Sequence, residues 1–576
     1  MSPQWWRRAV ASIISWPARR PSDEVRHDPL TVSASRLHDR EEDLQAAADK
    51  LGRHLFEARL TVSISFPTAR EKEAARRLPE LVGSLGHFNS PRTACFVAGR
   101  PTKHKRLGPL FLLSTEELAT LFHPPTQTVQ GSSVARVETR ELEPPKALRR
   151  RGTTPDSVQL GRAQYRDERH DVTLAIDDRR RHLAIFGKTG TGKSTLLQNL
   201  IVADIRAGRG VALVDPHGDL AASLVELIPR NRTNDIVLFD LADTEYPLSF
   251  NPLDCTNPAL RPLVASAVLS AFKKLYASMW GPRLEHILRN ALLALLEVRG
   301  ASLVQVLPLL TDERYRNSVV RQIRDPAVKR FWEQEFAAMP ARLRGEAISP
   351  VLNKIGHFVS SPLLRHVVGQ SRSTLDLRQV MDDGRILIVN LAKGRIGEDA
   401  SALLGALVVT ALQLAAISRA DVLEADRPDF FAYIDEFSNF ATGSFATIFS
   451  EARKYRLALT VATQFIEQLD ELTQAAVFGN VGTTVVFQSS QRDAEVLAAH
   501  LGGDLQPPDL LTLPKYQAFT KLLIEGVPTL PFSMRTLPPL ARGGDEQAPE
   551  IIRRTSRHRY ARPLKRVERE LAGALA

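Results

Sequence analysis

Cysteine is nearly absent. The 576 residues hold two, Cys95 and Cys255, and neither belongs to a CxxC or Cys/His spacing. A disulfide framework and a cysteine-ligated zinc site are therefore excluded, and the usage fits a reducing cytoplasm. No firm membrane span is legible. The N-terminal MSPQWWRRAVASIISWPARR is basic, but its apolar run is broken by Trp16-Pro17 and it lacks an A-x-A cleavage pattern; it suggests at most a weak interfacial helix. A second run, Ala400 to Ser418, is uncharged and close to spanning length. It follows a strand-like segment and carries Ser401, Thr410 and Gln413, so it reads as a helix buried against a parallel sheet. There is no internal repeat, zinc cluster, base-reading motif or nuclease constellation, and sequence-specific recognition is not expected of this chain alone.

The remainder is ordinary for a soluble globular protein: 43% hydrophobic and 24% charged residues, enough chain for about two to four domains. The net charge of +11 favours an acidic polymer or an anionic surface as partner, although a merely basic surface fits equally.

Residues 1–34 read as a basic arm containing proline. Residues 35–125 read as a small α/β unit, and 126–157, rich in Pro, Gly, Ser and Arg, as a linker. Beyond it, short apolar strands alternate with helices: HLAIFG from His182, VALVDPH from Val211, DIVLFD from Asp235, RILIVNLA from Arg385, FAYIDEF from Phe431, LALTVATQ from Leu457 and TTVVFQ from Thr483. This is the pattern of an α/β fold with a mostly parallel sheet covered on both faces. Residues 258–373 interrupt it with almost pure helix patterning, an inserted all-α domain between two segments of the α/β pattern, 158–257 and 374–537. The tail, 538–576, starts loop-like, and between Ile551 and Val567 it holds Arg and Lys but no acid. It is read as a basic tail that either contacts nucleic acid, stays solvated or docks on a subunit.

GKTGTGKS, Gly187 to Ser194, matches G-x-x-x-x-G-K-[ST] between a strand and a helix. Its residues Gly187, Lys188, Thr189, Gly190, Thr191, Gly192, Lys193, Ser194 and the following Thr195 form the expected phosphate loop. The glycines let backbone N–H groups wrap phosphates, Lys193 reaches the β- and γ-phosphates, and the Ser194 hydroxyl is suited to Mg²⁺. YIDEF delivers Asp435 and Glu436 at a strand end, where open α/β sheets place ligands. Asp435 suits the metal, and Glu436 suits activation of water for hydrolysis; a salt-bridged carboxylate pair is the plainer alternative. No N-K-x-D motif favours guanine, so ATP with Mg²⁺ is expected. Asp215 and His217 in VDPHGD either face the same pocket or serve a turn made by Pro216 and Gly218. Gln464 ends the next strand and is placed to contact a γ-phosphate or water. Arg453 precedes that strand, and position alone leaves it either a surface charge beside Lys454 and Arg456 or an arginine aimed at a neighbour's phosphates.

Together, GKTGTGKS, DPHGDL, YIDEF and EARKYRLALTVATQ, with SFNPLD, SMWGPRLEHILRNALLALLE, NLAKGRIGEDAS and FGNVGTTVVF, resemble the TraG/TraD type of conjugative coupling ATPase in the HerA–FtsK class of DNA-pumping motors. The resemblance covers about residues 112–537. It implies a RecA-like motor domain, an inserted all-α domain that meets DNA or a relaxase complex, and a homo-hexameric ring hydrolysing ATP to translocate DNA in conjugation or type IV secretion. It makes Arg453 the arginine finger and Gln464 the sensor glutamine. The chain departs from many coupling proteins in lacking two N-terminal transmembrane helices. A cytoplasmic protein with a separate membrane partner, or a free DNA translocase of a mobile element or defence system, follows from that. An export or pilus ATPase and a nucleotide-dependent scaffold are the competing expectations.

Overall fold

The computed structural model describes residues 6–13, 34–67, 70–89, 96, 98–102, 110–122, 140–150, 156–165, 168–443, 445–541 and 547–575. Two compact units result, residues 1–135 and 136–576.

In the first unit β1 (Trp6–Ile13) lies between β3 (Leu60–Pro67) and β4 (Ala98–Thr102), antiparallel to both. The expected N-terminal arm is therefore corrected: Trp6–Ile13 is a strand whose backbone pairs on both sides, while residues 14–33 lie outside the described set. A second pair joins β2 (Leu55–Ala58) to β5 (Phe111–Ser114). Ser114 then caps the helix Thr115–Leu121 through a capping box with Glu117, which satisfies two otherwise orphaned backbone donors.

The second unit is built on one sheet of eleven strands. Seven are parallel neighbours, in the order β10 (Ile236–Asp240), β11 (Ile386–Asn390), β9 (Gly210–Asp215), β12 (Phe430–Ile434), β13 (Leu457–Thr463), β8 (Leu183–Phe186) and β14 (Thr483–Val486). These are the seven segments that read as strands. Four more continue the sheet antiparallel: β15 (Gln517–Lys521), β18 (Phe532–Thr536), β6 (Ser157–Tyr165) and β7 (Glu168–Ala175), while β16 (Leu523–Ile524) and β17 (Val527–Pro528) form a separate ribbon. β8, β9, β12, β13 and β14 are buried at every position, as expected of strands with helices on both faces. The apolar run once readable as a span is the helix Glu398–Ser418. It has eleven buried residues and packs on the helix Arg261–Leu275. Among the described residues it alone is long and apolar enough to cross a membrane.

From Arg261 to Val368 the chain is helical, and the fully buried Trp332 and Phe336 pack in its interior with ring centroids 4.8 Å apart and planes tilted by 55°. Arg140–Arg150, expected within a linker, lies against the sheet: the Leu142 N–H donates to Ser533 Oγ at 2.8 Å and Leu148 is buried. Residues 123–139 lie outside the described set.

The C-terminal tail needs the larger correction. It forms helices Ala548–Tyr560 and Leu564–Leu575 that pack back on the unit. Ile552, Ser556, Val567 and Leu571 are buried. The Ser556 hydroxyl accepts from the Leu238 N–H at 2.8 Å, and Arg557 grips Asp243 with two bonds of 2.6 and 2.9 Å. β10 is the edge strand, and an uncovered edge leaves backbone donors exposed; this helix covers it.

Candidate nucleotide site

β8 ends in the phosphate loop. Gly187, Gly190 and Gly192 take φ values of 151°, 79° and 124°, a region only glycine enters freely. A Cβ on Gly192 would stand 3.0 Å from Tyr516 Cδ1 and 3.2 Å from Phe487 Cε1. The helix Lys193–Arg206 that follows has no side-chain cap, so its first N–H groups stay free for an anion at the positive end of the helix. Thr191 accepts the Tyr516 N–H at 2.8 Å, and Lys188 N–H donates to Gln488 O at 2.8 Å, holding the loop from outside. The Lys193 ammonium is buried and donates to the Gly187 and Lys188 carbonyls. Burial lowers its pKa, against the opposing pull of Glu436 and Asp435.

A cleft of about 710 Å³ opens over this loop. Thr189, Gly190, Gly192, Lys193, Ser194 and Thr195 line it, with Asp215, Asp435, Glu436 and Gln464 from three other strand ends. Asp435 follows β12 beside Asp215 of β9, and its N–H donates to Val214 O at 3.1 Å. Burial, then Glu436 and Asp215, push the Asp435 carboxyl up to about 7. Glu436 adopts φ 48°, a conformation that costs a side-chain-bearing residue energy and recurs at functional sites. Gln464 bridges the two sides: its amide donates to Glu436 Oε1 at 2.5 Å and accepts from Thr189 Oγ1 at 2.7 Å.

Both Asp215 oxygens accept backbone N–H groups, from His217 and Ala221 at 2.9 Å each. The carboxylate thereby fastens the turn into the helix Asp219–Val225, while His217 lines the cleft. Lys515 and Tyr516 also line the cleft. Sequence reasoning passed over them because they arrive on a turn more than 300 residues after the loop; no local motif marks them.

Arg453 is not in this cleft. It is exposed on a turn, Ala452–Tyr455, before β13, whereas Gln464 follows that strand's other end. Seven strand residues separate the two, roughly 23 Å of chain. Its guanidinium has no hydrogen bond or ion pair to another described residue.

The donor set fits a divalent cation. Asp435, Glu436 and Asp215 face one buried lysine, and burial first, then the two neighbouring carboxylates, raise the Asp435 carboxyl, a penalty on its charge that a bound cation would offset. Among the described residues no group of three or more His, Cys, Asp or Glu could hold a metal ion by itself, so a cation here would need water and substrate phosphates as further ligands.

Comparison with known proteins places this geometry. Residues 158–409 match the family model "Helicase HerA, central domain", and 429–504 match "TraM recognition site of TraD and TraG". The type 4 coupling protein DotL of Legionella pneumophila is 24% identical over 356 residues, 51% of this chain and 45% of DotL. The chain thus spans under half the length of that relative. Among solved structures, the unbound bacterial conjugative coupling protein TrwBdeltaN70 superposes with a TM-score of 0.51 at 17% identity, covering 70% of this chain and 93% of that one. TrwB in complex with ADP and Mg²⁺ gives 0.50 at 18% identity, covering 71% and 96%. The chain thus shares the TrwB fold, and its two matched segments are similar to the HerA central domain and to the TraM recognition site of TraD and TraG.

Proposed function

We propose that the chain is an ATP-hydrolysing motor that moves DNA through a homo-hexameric ring, as a coupling protein does in conjugative or type IV secretion transfer. One observation carries the catalytic part: the Thr189–Gln464–Glu436 chain of hydrogen bonds ties the phosphate loop to an acidic pair across a single cleft. Lys193 binds the β- and γ-phosphates with the free N–H groups of Gly190–Thr195. Ser194 and Asp435 would hold Mg²⁺, which when bound neutralises charge on those phosphates. Glu436 orients the attacking water and takes its proton, and Gln464, already bonded to Glu436, senses whether a γ-phosphate is present. Arg453 stands exposed at the opposite end of β13 from its own cleft, which supports reading it as the residue that completes an adjoining subunit's site. The +11 charge supports a phosphate-rich polymer as the load, gripped without sequence preference and released by salt. A relaxase or secretion-channel protein would deliver it.

Phosphate release by the purified protein with ATP and Mg²⁺ tests the catalytic assignment. Glu436→Gln should keep nucleotide affinity and lose about a hundredfold or more in turnover, the usual yield of a positioned base. Turnover by Glu436→Gln at the unmutated rate would overturn it.

A further inference from the structure

His182 immediately precedes β8, the strand that leads into the phosphate loop, and so sits at the far end of that strand from the cleft. Its imidazole is 1% exposed and its backbone takes φ 66°. Both ring nitrogens are committed. Nδ1 accepts the Leu459 N–H of β13 at 3.0 Å. A nitrogen that accepts carries no proton, so Nε2 holds it and donates to the Phe449 carbonyl at 3.2 Å. The Phe449 ring meets the imidazole edge-on, with centroids 5.6 Å apart. Burial, and in smaller part the charge of Arg453, hold the ring neutral, its pKa pushed down to about 4 against the pull of the Phe449 carbonyl.

Phe449 belongs to the helix Phe445–Glu451, which runs straight into the turn bearing Arg453. Its carbonyl is among the last four of that helix, where the internal ladder runs out. The far side of the turn is fastened separately: Arg419 Nη1 donates to Tyr455 O at 3.0 Å, Arg427 donates to Lys454 O, and the Phe430 N–H donates to Arg456 O at 2.9 Å. One end of the arginine turn is thus tied to β12 and its preceding loop and runs on into β13, and the other is tied through the His182 imidazole to the residue that enters β8 and to Leu459 of β13.

We propose that His182 is a positioning residue for Arg453, fixing the arginine turn to the strand that carries the phosphate loop. The nucleotide state of one subunit and the arginine it offers the next then move as one body. This inference rests on the reading of Arg453 as a residue that acts on an adjoining subunit.

Mixed assemblies test it. His182→Asn keeps a residue that tolerates positive φ and an oxygen able to accept the Leu459 N–H, but it does not reach Phe449 O. Alone, it should bind nucleotide within about twofold of the unmutated affinity and keep KM, while kcat falls between tenfold and about a hundredfold, the cost of roughly 1 Å of misplacement. Glu436→Gln subunits, inert themselves, carry an intact arginine and His182. Doping them into His182→Asn should restore turnover per His182→Asn site. Arg453→Ala doped in the same way is the control. Rescue of Arg453→Ala without rescue of His182→Asn overturns the role of His182. Rescue of neither overturns the shared-site reading itself. Unchanged kcat in both His182→Asn and His182→Ala overturns the proposal as well.

Discussion

Replacing Asp435 by Asn should make the nucleotide-free protein more stable and less active at once. Unfolded, this carboxyl ionises near its ordinary 3.8; folded, it does so near 7, because burial, Glu436 and Asp215 all disfavour its charge. Between those values the folded state keeps a proton that the unfolded state has released, so stability falls as pH rises through that window. At about 1.4 kcal/mol per pH unit the full penalty is about 4 kcal/mol above pH 7. Asn carries no charge, and its Oδ1 can still accept the Glu436 N–H that Asp435 accepts at 3.1 Å. Thermal melting of the two full-length proteins without nucleotide should therefore coincide near pH 4 and separate by several degrees at pH 8, with Asp435→Asn the more stable. Phosphate release by the variant should be lost. Equal melting temperatures at pH 8, or a gap that is constant across pH, would refute the reasoning. The site pays in stability for a cation-ready cluster of charge.

Three further outcomes follow from the geometry. Gly192→Ala puts a Cβ at φ 124° and within 3.0 Å of Tyr516, so nucleotide affinity measured by titration should fall at least tenfold, about 1.4 kcal/mol, with the fold retained by circular dichroism. Arg179 is fully buried and makes two 2.7 Å bonds to Asp204 as well as one to Tyr433; Arg179→Ala leaves the buried Asp204 carboxylate only Arg209 at 3.1 Å and the Tyr433 hydroxyl at 2.6 Å and should cost about 1–3 kcal/mol in thermal or denaturant unfolding. Truncation after Gln547 uncovers the β10 edge that Ser556 and Ile552 now close, and light scattering should show polydisperse aggregates larger than the assembly the full chain forms.

The parallel half of the sheet was legible because its strands are buried on both faces and so read as nearly unbroken apolar runs. Its antiparallel half was not. β6 and β7, SVQLGRAQY and ERHDVTLA, mix exposed and buried positions, and their polar residues hide the strand. The tail misled for a related reason. Its arginines suggested a nucleic-acid-binding, solvated or subunit-docking segment alike, but Arg557 bonds Asp243 and Arg559 the Asn234 carbonyl of the same chain, while a thin stripe through Ile552 and Ser556 does the packing. The phosphate loop, Asp435, Glu436 and Gln464 were readable because each sits where a strand or loop meets the sheet's carboxyl edge. Asp215 was readable as a position near the cleft but not as a helix-fastening carboxylate, a distinction that needs the His217 and Ala221 N–H groups in place. Lys515, Tyr516 and His182 carry no motif; each matters only through a neighbour distant in sequence.

The central claim is that hydrolysis is coupled to DNA and completed between subunits. The most direct measurement is the steady-state ATPase rate at low salt, with and without single- or double-stranded DNA, for the unmutated protein and for Arg453→Ala. A large stimulation by DNA that fades with added salt and vanishes in Arg453→Ala, whose own cleft is intact, is the predicted result. A rate indifferent to both DNAs, or one that Arg453→Ala leaves unchanged, would contradict the account.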